Sequence, residues 1–369
     1  MSDRSHRVAL VGAGRIAAVH HGYAKQVPNA RVVAACDADR DRAQEFANQR
    51  NIPAFYDDLE ELLRKEQPNI VHIVTPPATH ARLAVAAMEA GANVLVEKPM
   101  AMTVEDCDRM IETAERYGRR ICVDHNRLFD PVILKARALV ESGAIGDVVS
   151  VEALQGVNPP DEAAAAPSGE AHWSVADPFA PLYNLGPHPL YLAAHFLGPV
   201  QGLHVAGLPI GEDGLLREIR VMLEGKGSYG YVTFSMGAQP YLNHVNVFGT
   251  KGTLRANLNT MAMTVEKVRK LPKMVAKFTA NLEPAAQLMG STVETVLSVA
   301  LRRMKTYPGI GQNIRRFYKS LDEGEAAPVD GAAGRENVWL LREIEKYFTA
   351  LRGSDAARQS PNGEDSWTS

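Results

Sequence analysis

Short apolar runs recur through the first third of the chain, each followed by a stretch whose apolar positions repeat every three or four residues. Val8 to Val11 open the series, and "ARVVAAC" follows. A minor strand "AFYD" lies after Pro53, and then come "NIVHIV", "ANVLV" and "RRICVD". The intervening segments, such as "RDRAQEFANQR" and "DLEELLRKEQ", have helical periodicity. Thr103 reads as the N-cap of the helix in "TVEDCDRMIETAERYG", and Gly118 as its stop. Strands that are apolar throughout have both faces covered, so the pattern predicts repeated βαβ units in a parallel, doubly wound sheet. From about Asp147 the rhythm changes. "DVVSVEALQGV", "LREIRVMLE", "GSYGYVTFSMG", "NHVNVFGT" and "GTLRANL" read as strands joined by short turns, hence a mostly antiparallel open sheet. One face of that sheet can roof a crevice, while the other is available for self-association and predicts a homo-oligomer.

The stretch "RVALVGAGRIAAVHHG" joins a buried strand, a glycine turn and a helix start. Gly12-Ala13-Gly14-Arg15-Ile16-Ala17 reads as G-x-G-x-x-A, in which Gly12 makes the tight turn, Gly14 lets backbone approach a pyrophosphate, and small Ala17 lets helix pack on strand. Arg15 and Ile16 stand where the new helix presents its amides to phosphate. The second apolar run ends in Asp37, at the spacing of the acid that bonds the adenosine ribose diol and repels a 2′-phosphate. That predicts NAD rather than NADP, with Arg40 the nearby base that could blur the preference. Ligands of doubly wound sheets bind beyond the carboxyl ends of the strands. Thr75, Pro76, His80 and Glu97 are therefore candidates for the cofactor, with Lys98 and the run His125-Asn126-Arg127 in the same crevice.

Composition narrows the class. The 369 residues suit two domains, and 46% apolar with 22% charged residues describes a globular chain able to bury large cores. No apolar segment precedes the first strand and no long apolar run appears, so the expectation is a cytoplasmic protein without a membrane span. Cys36, Cys107 and Cys122 lack metal-ligand spacing and read as buried apolar residues, and no metal site is expected. A net charge of -3 argues against a nucleic-acid partner.

With "GAGRIA", "CDAD", "TPPATH" and "EKPMAMTVEDC" in that order, the chain resembles the glucose-fructose oxidoreductase/inositol dehydrogenase/MocA (Gfo/Idh/MocA) family, from Arg7 to Arg352. The resemblance implies an N-terminal Rossmann doubly wound parallel sheet over 1–127, followed by an α+β substrate and oligomerisation domain with a mostly antiparallel open sheet over 128–352. It implies that Lys98 of "EKP" is catalytic and that a cis bond before Pro99 aims it. A second family signature, an acid with a histidine four residues on, falls on Asn184 and His188. His188 is then the second catalytic candidate, and Asn184, where aspartate is common, faces the substrate from the same helix face. Asn126, Arg127, His172 and Trp173 are further substrate candidates. The implied activity is hydride transfer between the nicotinamide and a secondary alcohol or ketone of a sugar, cyclitol, sugar phosphate or nucleotide-linked sugar. Two alternatives share the fold: an NAD-dependent glycosidase working by transient oxidation, and a non-catalytic NAD-binding regulator.

Three segments fall outside this scheme. Asn158 to Pro181, rich in Pro and Ala, reads as a lid loop. Residues 261–320 read as a helical insert with eleven bases against Glu266, Glu283 and Glu294. Its apolar stripe either packs on the sheet or a neighbouring subunit, or the segment meets an anionic surface or a phosphate-bearing partner. Residues 353–369 read as a disordered polar tail.

Overall fold

The computed structural model describes residues 5–156, 179–208, 218–235, 241–268, 272–301 and 306–358. Its first part alternates strand and helix: β1 (His6–Val11), α1 (Arg15–Ala24), β2 (Ala30–Cys36), α2 (Arg40–Arg50), β3 (Ala54–Tyr56), α3 (Leu59–Glu66) and β4 (Ile70–Ile73). It continues with α4 (His80–Glu89), β5 (Asn93–Val96), α5 (Val104–Tyr117) and β6 (Ile121–Val123). All pairings are parallel, in the order β3-β2-β1-β4-β5-β6. This is the doubly wound arrangement whose order reverses beside β1, so a crevice opens between the exits of β1 and β4. Thr103 caps α5 by accepting the Asp106 amide at 3.1 Å, and Gly118 ends it in the left-handed region, as read from sequence.

The second part holds α6 (Pro131–Glu141), β7 (Val148–Gly156), α7 (Ala180–Leu185), α8 (Pro187–Leu197), β8 (Gly202–Leu208), β9 (Glu218–Glu224) and β10 (Tyr229–Ser235). After these come β11 (Asn243–Gly249), β12 (Gly252–Asn257) and β13 (Ala262–Lys267). The sheet runs β13-β12-β11-β7-β10-β9-β8 and is antiparallel except between β7 and β10. Buried and exposed residues alternate along β9 and β10, so one face packs on the nearly all-buried α8. The other face displays Tyr229 and Tyr231 to solvent.

The segment 261–320 departs from the expectation of a single helical insert. It divides into β13, α9 (Lys273–Thr279), α10 (Leu282–Ala300) and most of α11 (Pro308–Glu323). The apolar stripe, expected to pack on the sheet or on a neighbouring subunit, is not covered by the sheet along α10, which has no buried residue. By contrast, α11 returns to the first sheet, where Ile310, Ile314, Phe317 and Tyr318 join Val8, Leu10, Ile70 and Leu95 in one core. Finally α12 (Gly331–Arg358) ties the halves together: Val338 packs in the core beneath α5, and Leu341, Ile344 and Phe348 in that of the second sheet. It runs into the segment expected to be a tail, whose remaining residues 359–369 lie outside the described residues.

Phe317 is fully buried at the seam between α11 and the first sheet. Phe317→Ala is expected to destabilise the protein by about 3–5 kcal/mol, the usual cost of a large cavity in a packed core. Chemical denaturation of the two proteins checks this.

Candidate active site

The glycine turn is dictated by close approach. Gly12 has φ +102°, and a Cβ there would lie 2.7 Å from the Val74 carbonyl oxygen, so both conformation and space require glycine. Its amide donates to the Cys36 carbonyl at 2.7 Å, and the Ala13 amide donates to Asp37 Oδ2 at 2.8 Å. The turn and the acid are thus held edge to edge, as a site for an adenosine ribose needs. Gly14 caps α1 without a side-chain bond, and the space where its Cβ would stand is open. Open space over first-turn amides is what a pyrophosphate needs, so the residues present fit a dinucleotide. Arg15 is exposed beside the cap, and Ile16 packs partly into the core.

Arg40, the base named from sequence, is turned away, bonded to Asp57 at 3.0 Å. Arg42 is the base beside Asp37, at 3.7 Å, and it also reaches Asp39 at 3.4 Å. Sequence reading missed it, although it stands one helical turn past the Asp39 cap.

The exits of β4 and β5 are pinned together by His80. It is fully buried, with its ring nitrogens 2.8 Å from the Thr75 carbonyl oxygen and 2.9 Å from that of Pro99. Burial holds its pKa below the ordinary value, so a neutral ring donates to one of the two. His80 therefore fixes loops rather than offering a free nitrogen to a ligand. Thr75 and Pro76 stay at the surface of this turn, with the Thr79 hydroxyl donating to Thr75 Oγ1 at 2.7 Å.

The Lys98–Pro99 peptide is cis. Lys98 Nζ donates to the Asn184 backbone carbonyl at 2.6 Å and lies 3.4 Å from Asn184 Oδ1. Burial lowers its pKa; Glu97 opposes this and Arg127 adds to it. Asn184 and His188, expected to point together from one helix face, fall on α7 and α8, which meet at Gly186 in right-handed helical conformation; the Asn184 side chain faces Lys98. His188 instead shares a 2.7 Å hydrogen bond between Nδ1 and the Tyr191 hydroxyl, which also accepts the Arg127 amide at 3.2 Å. Tyr191 stacks on His125 with ring centroids 4.3 Å apart. Burial, then Lys98, Arg127 and His125, drive the His188 pKa well below normal, so its ring is neutral and lies in the same electrostatic field as Lys98. Among the described residues the buried Nε2 of His125 and Nε of Arg127 have no hydrogen-bond partner, which leaves both free for a ligand. Asn126 sits 3.4 Å from the Tyr191 hydroxyl. His172 and Trp173, with nearly all of the expected lid, lie outside the described residues.

Beneath Lys98 is a charge cluster that sequence reading did not single out. His20 Nε2 lies 3.2 Å from Glu97 Oε1 and 3.5 Å from Asp124 Oδ2, and its Nδ1 lies 3.1 Å from His72 Nδ1. Burial pushes the His20 pKa down, but the bonds and charges of Asp124 and Glu97 outweigh it and raise it to about 9. His20 is thus an imidazolium donating at both nitrogens. His72, held neutral by burial, accepts at Nδ1 and donates from Nε2 to the Tyr318 hydroxyl at 2.9 Å. Asn313 of α11 donates to Asp124 Oδ1 at 2.8 Å. His20, Glu97 and Asp124 could offer ligand atoms within 4.8 Å of one another, but an imidazolium Nε2–H turned toward both carboxylates leaves no lone pair for a cation. Glu97, expected at the cofactor, is thereby committed on one oxygen to His20 and on the other to the Lys98 amide at 3.2 Å. The signal in the sequence was His20's place with Ala17, Tyr23 and Ala24 on the buried stripe of α1.

Because His20 titrates at about 9 in the folded protein against 6.5 when unfolded, its contribution is complete below 6.5 and lost as pH rises through 9. The stability gap between wild type and His20→Gln is therefore expected to narrow from about pH 6 to about pH 10, as read from urea denaturation at both ends.

Comparison with known proteins follows the same lines. Residues 6–125 match a family model described as an oxidoreductase family with an NAD-binding Rossmann fold, and residues 133–255 match the GFO/IDH/MocA C-terminal domain. The chain is 25% identical over 262 residues to Oxidoreductase P35 of Formosa agariphila, covering 70% of this chain and 81% of that one. It is 26% identical over 261 residues to myo-inositol 2-dehydrogenase of Thermotoga maritima, covering 68% and 75% respectively. The crystal structure of the WlbA dehydrogenase from Bordetella pertussis, in complex with NADH and UDP-GlcNAcA, superposes with a TM-score of 0.76 at 21% identity, covering 95% of this chain and 97% of that one. At that identity the likeness speaks for the fold.

Proposed function

We propose, from the premise that this chain belongs to the Gfo/Idh/MocA family of NAD-binding oxidoreductases, that it is a dehydrogenase of a secondary alcohol on a sugar, cyclitol or nucleotide-linked sugar. The observation that carries the reading is Lys98: its ammonium is directed across the crevice to Asn184 at 2.6 Å, where Arg127 and His188 share its field. The names of the relatives, oxidoreductase and inositol dehydrogenase, favour net oxidation or reduction over transient-oxidation hydrolysis or a regulator. They also support a hydroxylated ring as substrate.

The cofactor, when bound, exchanges a hydride with the alcohol carbon. The chain's own residues supply the rest. Lys98, with its pKa lowered by burial, takes the hydroxyl proton in oxidation and returns it in reduction, in place of the Asn184 carbonyl as hydrogen-bond partner. Neutral His188, oriented by Tyr191, orients the hydroxyl and can pass its proton on. Arg127 and Asn126 face the substrate's remaining oxygens. NAD is the favoured cofactor because Asp37 stands at the turn, with Arg42, 3.7 Å away, as a base that softens its repulsion of a 2′-phosphate. The exposed Tyr229 and Tyr231 on the outer sheet face support self-association of the chain.

Two outcomes are expected. Lys98→Met should lower turnover about a hundredfold or more, since a general acid–base group contributes roughly 10²–10⁴, while leaving NAD binding nearly intact. Near-normal turnover on the substrate found by screening sugars and cyclitols for NADH formation would remove Lys98 from the chemistry. Calorimetry should show NAD binding at least about tenfold tighter than NADP, with Asp37→Ala narrowing the difference. Equal affinities in the wild type would refute the role given to Asp37.

A further inference from the structure

The helix α10 is amphipathic in the wrong sense for a surface helix. Leu282, Met289, Val293, Val296 and Leu297 recur at three-, four- and seven-residue spacings, and so lie along one side. That side faces away from the protein: Met289 is 71% exposed, Leu282 66% and Val296 60%. The polar stripe of Gln287, Ser291 and Ser298 is the half-buried side. Gln287 completes the edge strand β13, accepting the Val265 amide at 2.7 Å and donating to its carbonyl at 3.0 Å. Glu294 reaches back to Lys135 of α6 at 2.6 Å. The helix is therefore attached by its polar side and offers its apolar side outward, and Met274 and Val275 of the preceding α9 are exposed as well.

Charge indicates what covers this face. Between Glu266 and Lys305 the chain carries eight bases against three acids, within a protein of net charge -3. Lys267, Arg269, Lys270, Lys273 and Lys277 precede α10 in the sequence, and Arg302, Arg303 and Lys305 follow it. Of the acids, Glu266 is paired with Arg255 at 3.1 Å and Glu294 with Lys135, whereas Lys267 and Lys277 are exposed. An apolar strip bracketed by bases suits a surface that is apolar below and anionic above. A second copy of this chain would instead bring these bases against one another.

We propose that α9 and α10 form an interfacial anchor that lays this protein on an anionic lipid bilayer, the apolar side of α10 entering the headgroup boundary and exposed Lys267 and Lys277 meeting lipid phosphates. Among the described residues no helix is long and apolar enough to cross a membrane, so the contact is peripheral. The anchor is independent of the chemistry assigned to Lys98.

Sedimentation with vesicles tests it. The full-length protein should pellet with phosphatidylglycerol/phosphatidylcholine vesicles and not with phosphatidylcholine alone, and should be released by about 1 M salt, where screening shortens to about 3 Å. The double variant Val293→Glu, Val296→Glu should bind anionic vesicles at least about tenfold more weakly, with its melting temperature and NAD titration unchanged because both side chains are exposed. Lys267→Glu with Lys277→Glu should weaken binding in the same direction. Absence of wild-type binding at low salt would overturn the proposal, and so would a Val293→Glu, Val296→Glu variant that pellets like wild type. Light scattering supplies a further arm: an oligomer mass unchanged by the double variant supports the lipid surface. A drop in mass would assign the face to a second copy and overturn the proposal. Loss of dehydrogenase activity on Lys98→Met bears on neither outcome.

Discussion

Two carboxylates buried within a few ångströms of each other cannot both remain ionised without a cation between them. The arrangement of this protein's crevice follows from how that demand is met. Parallel strands β5 and β6 run side by side, so their exits bring Glu97 and Asp124 together under Lys98. The cation is His20, carried to that point by the first helix after the glycine turn. Because α1 begins at the turn that fits a pyrophosphate, the nucleotide end and the reacting end of the site are joined by the stretch of α1 from Arg15 to His20. His72 and Tyr318 then give His20's second N–H an acceptor, and Asn313 fixes Asp124. Those last contacts come from α11, far along the chain. The first sheet is therefore completed electrostatically, as well as sterically, by a late segment.

What could be read from the sequence was what depends on local pattern. Apolar runs, glycine spacing, the Asp37 position and the order of motifs led to the parallel sheet, the turn and the strand-exit residues. Contacts that span the chain were not legible. Nothing local says that Arg40 would be drawn to Asp57 while Arg42 stays by Asp37, or that His80 would be spent on two carbonyls. The four-residue spacing of Asn184 and His188 implied one helix face. That Asn184 would turn to Lys98, 86 residues away in the sequence, is not contained in that spacing. Periodicity also identified α10 as amphipathic without revealing which side is turned inward. That depends on the unpaired edge of β13, which Gln287 covers, and edge pairing is a tertiary fact.

The halves of the molecule differ in what their surfaces must do. The second sheet buries one face on α8 and α12 and keeps the other decorated with cross-strand polar pairs, such as Asn246 with Glu152 at 3.1 Å, among exposed tyrosines. Such a mixed face suits contact with another protein surface of the same character. Among the described residues the outer side of α10 shows no comparable polar pairs along its apolar stripe, and in the sequence bases stand before and after it. Two exposed apolar regions on one chain thus differ in composition in the way that protein and lipid partners differ.

Electrostatics also connect binding to proton transfer at Lys98. Its ammonium lies among Arg127, Glu97 and Asp124, and burial already favours the uncharged amine. On the proposed reading, Lys98 gives up its proton more readily beside the positive ring of the oxidised nicotinamide than beside the neutral reduced ring. Oxidation then begins with an amine able to accept the substrate proton and ends with an ammonium in a field that tolerates it better. His188 cannot undergo the same swing, because burial together with the fixed charge of Arg127 keeps it neutral. The division of labour therefore follows from position: the lysine changes charge with the reaction, and the histidine holds geometry.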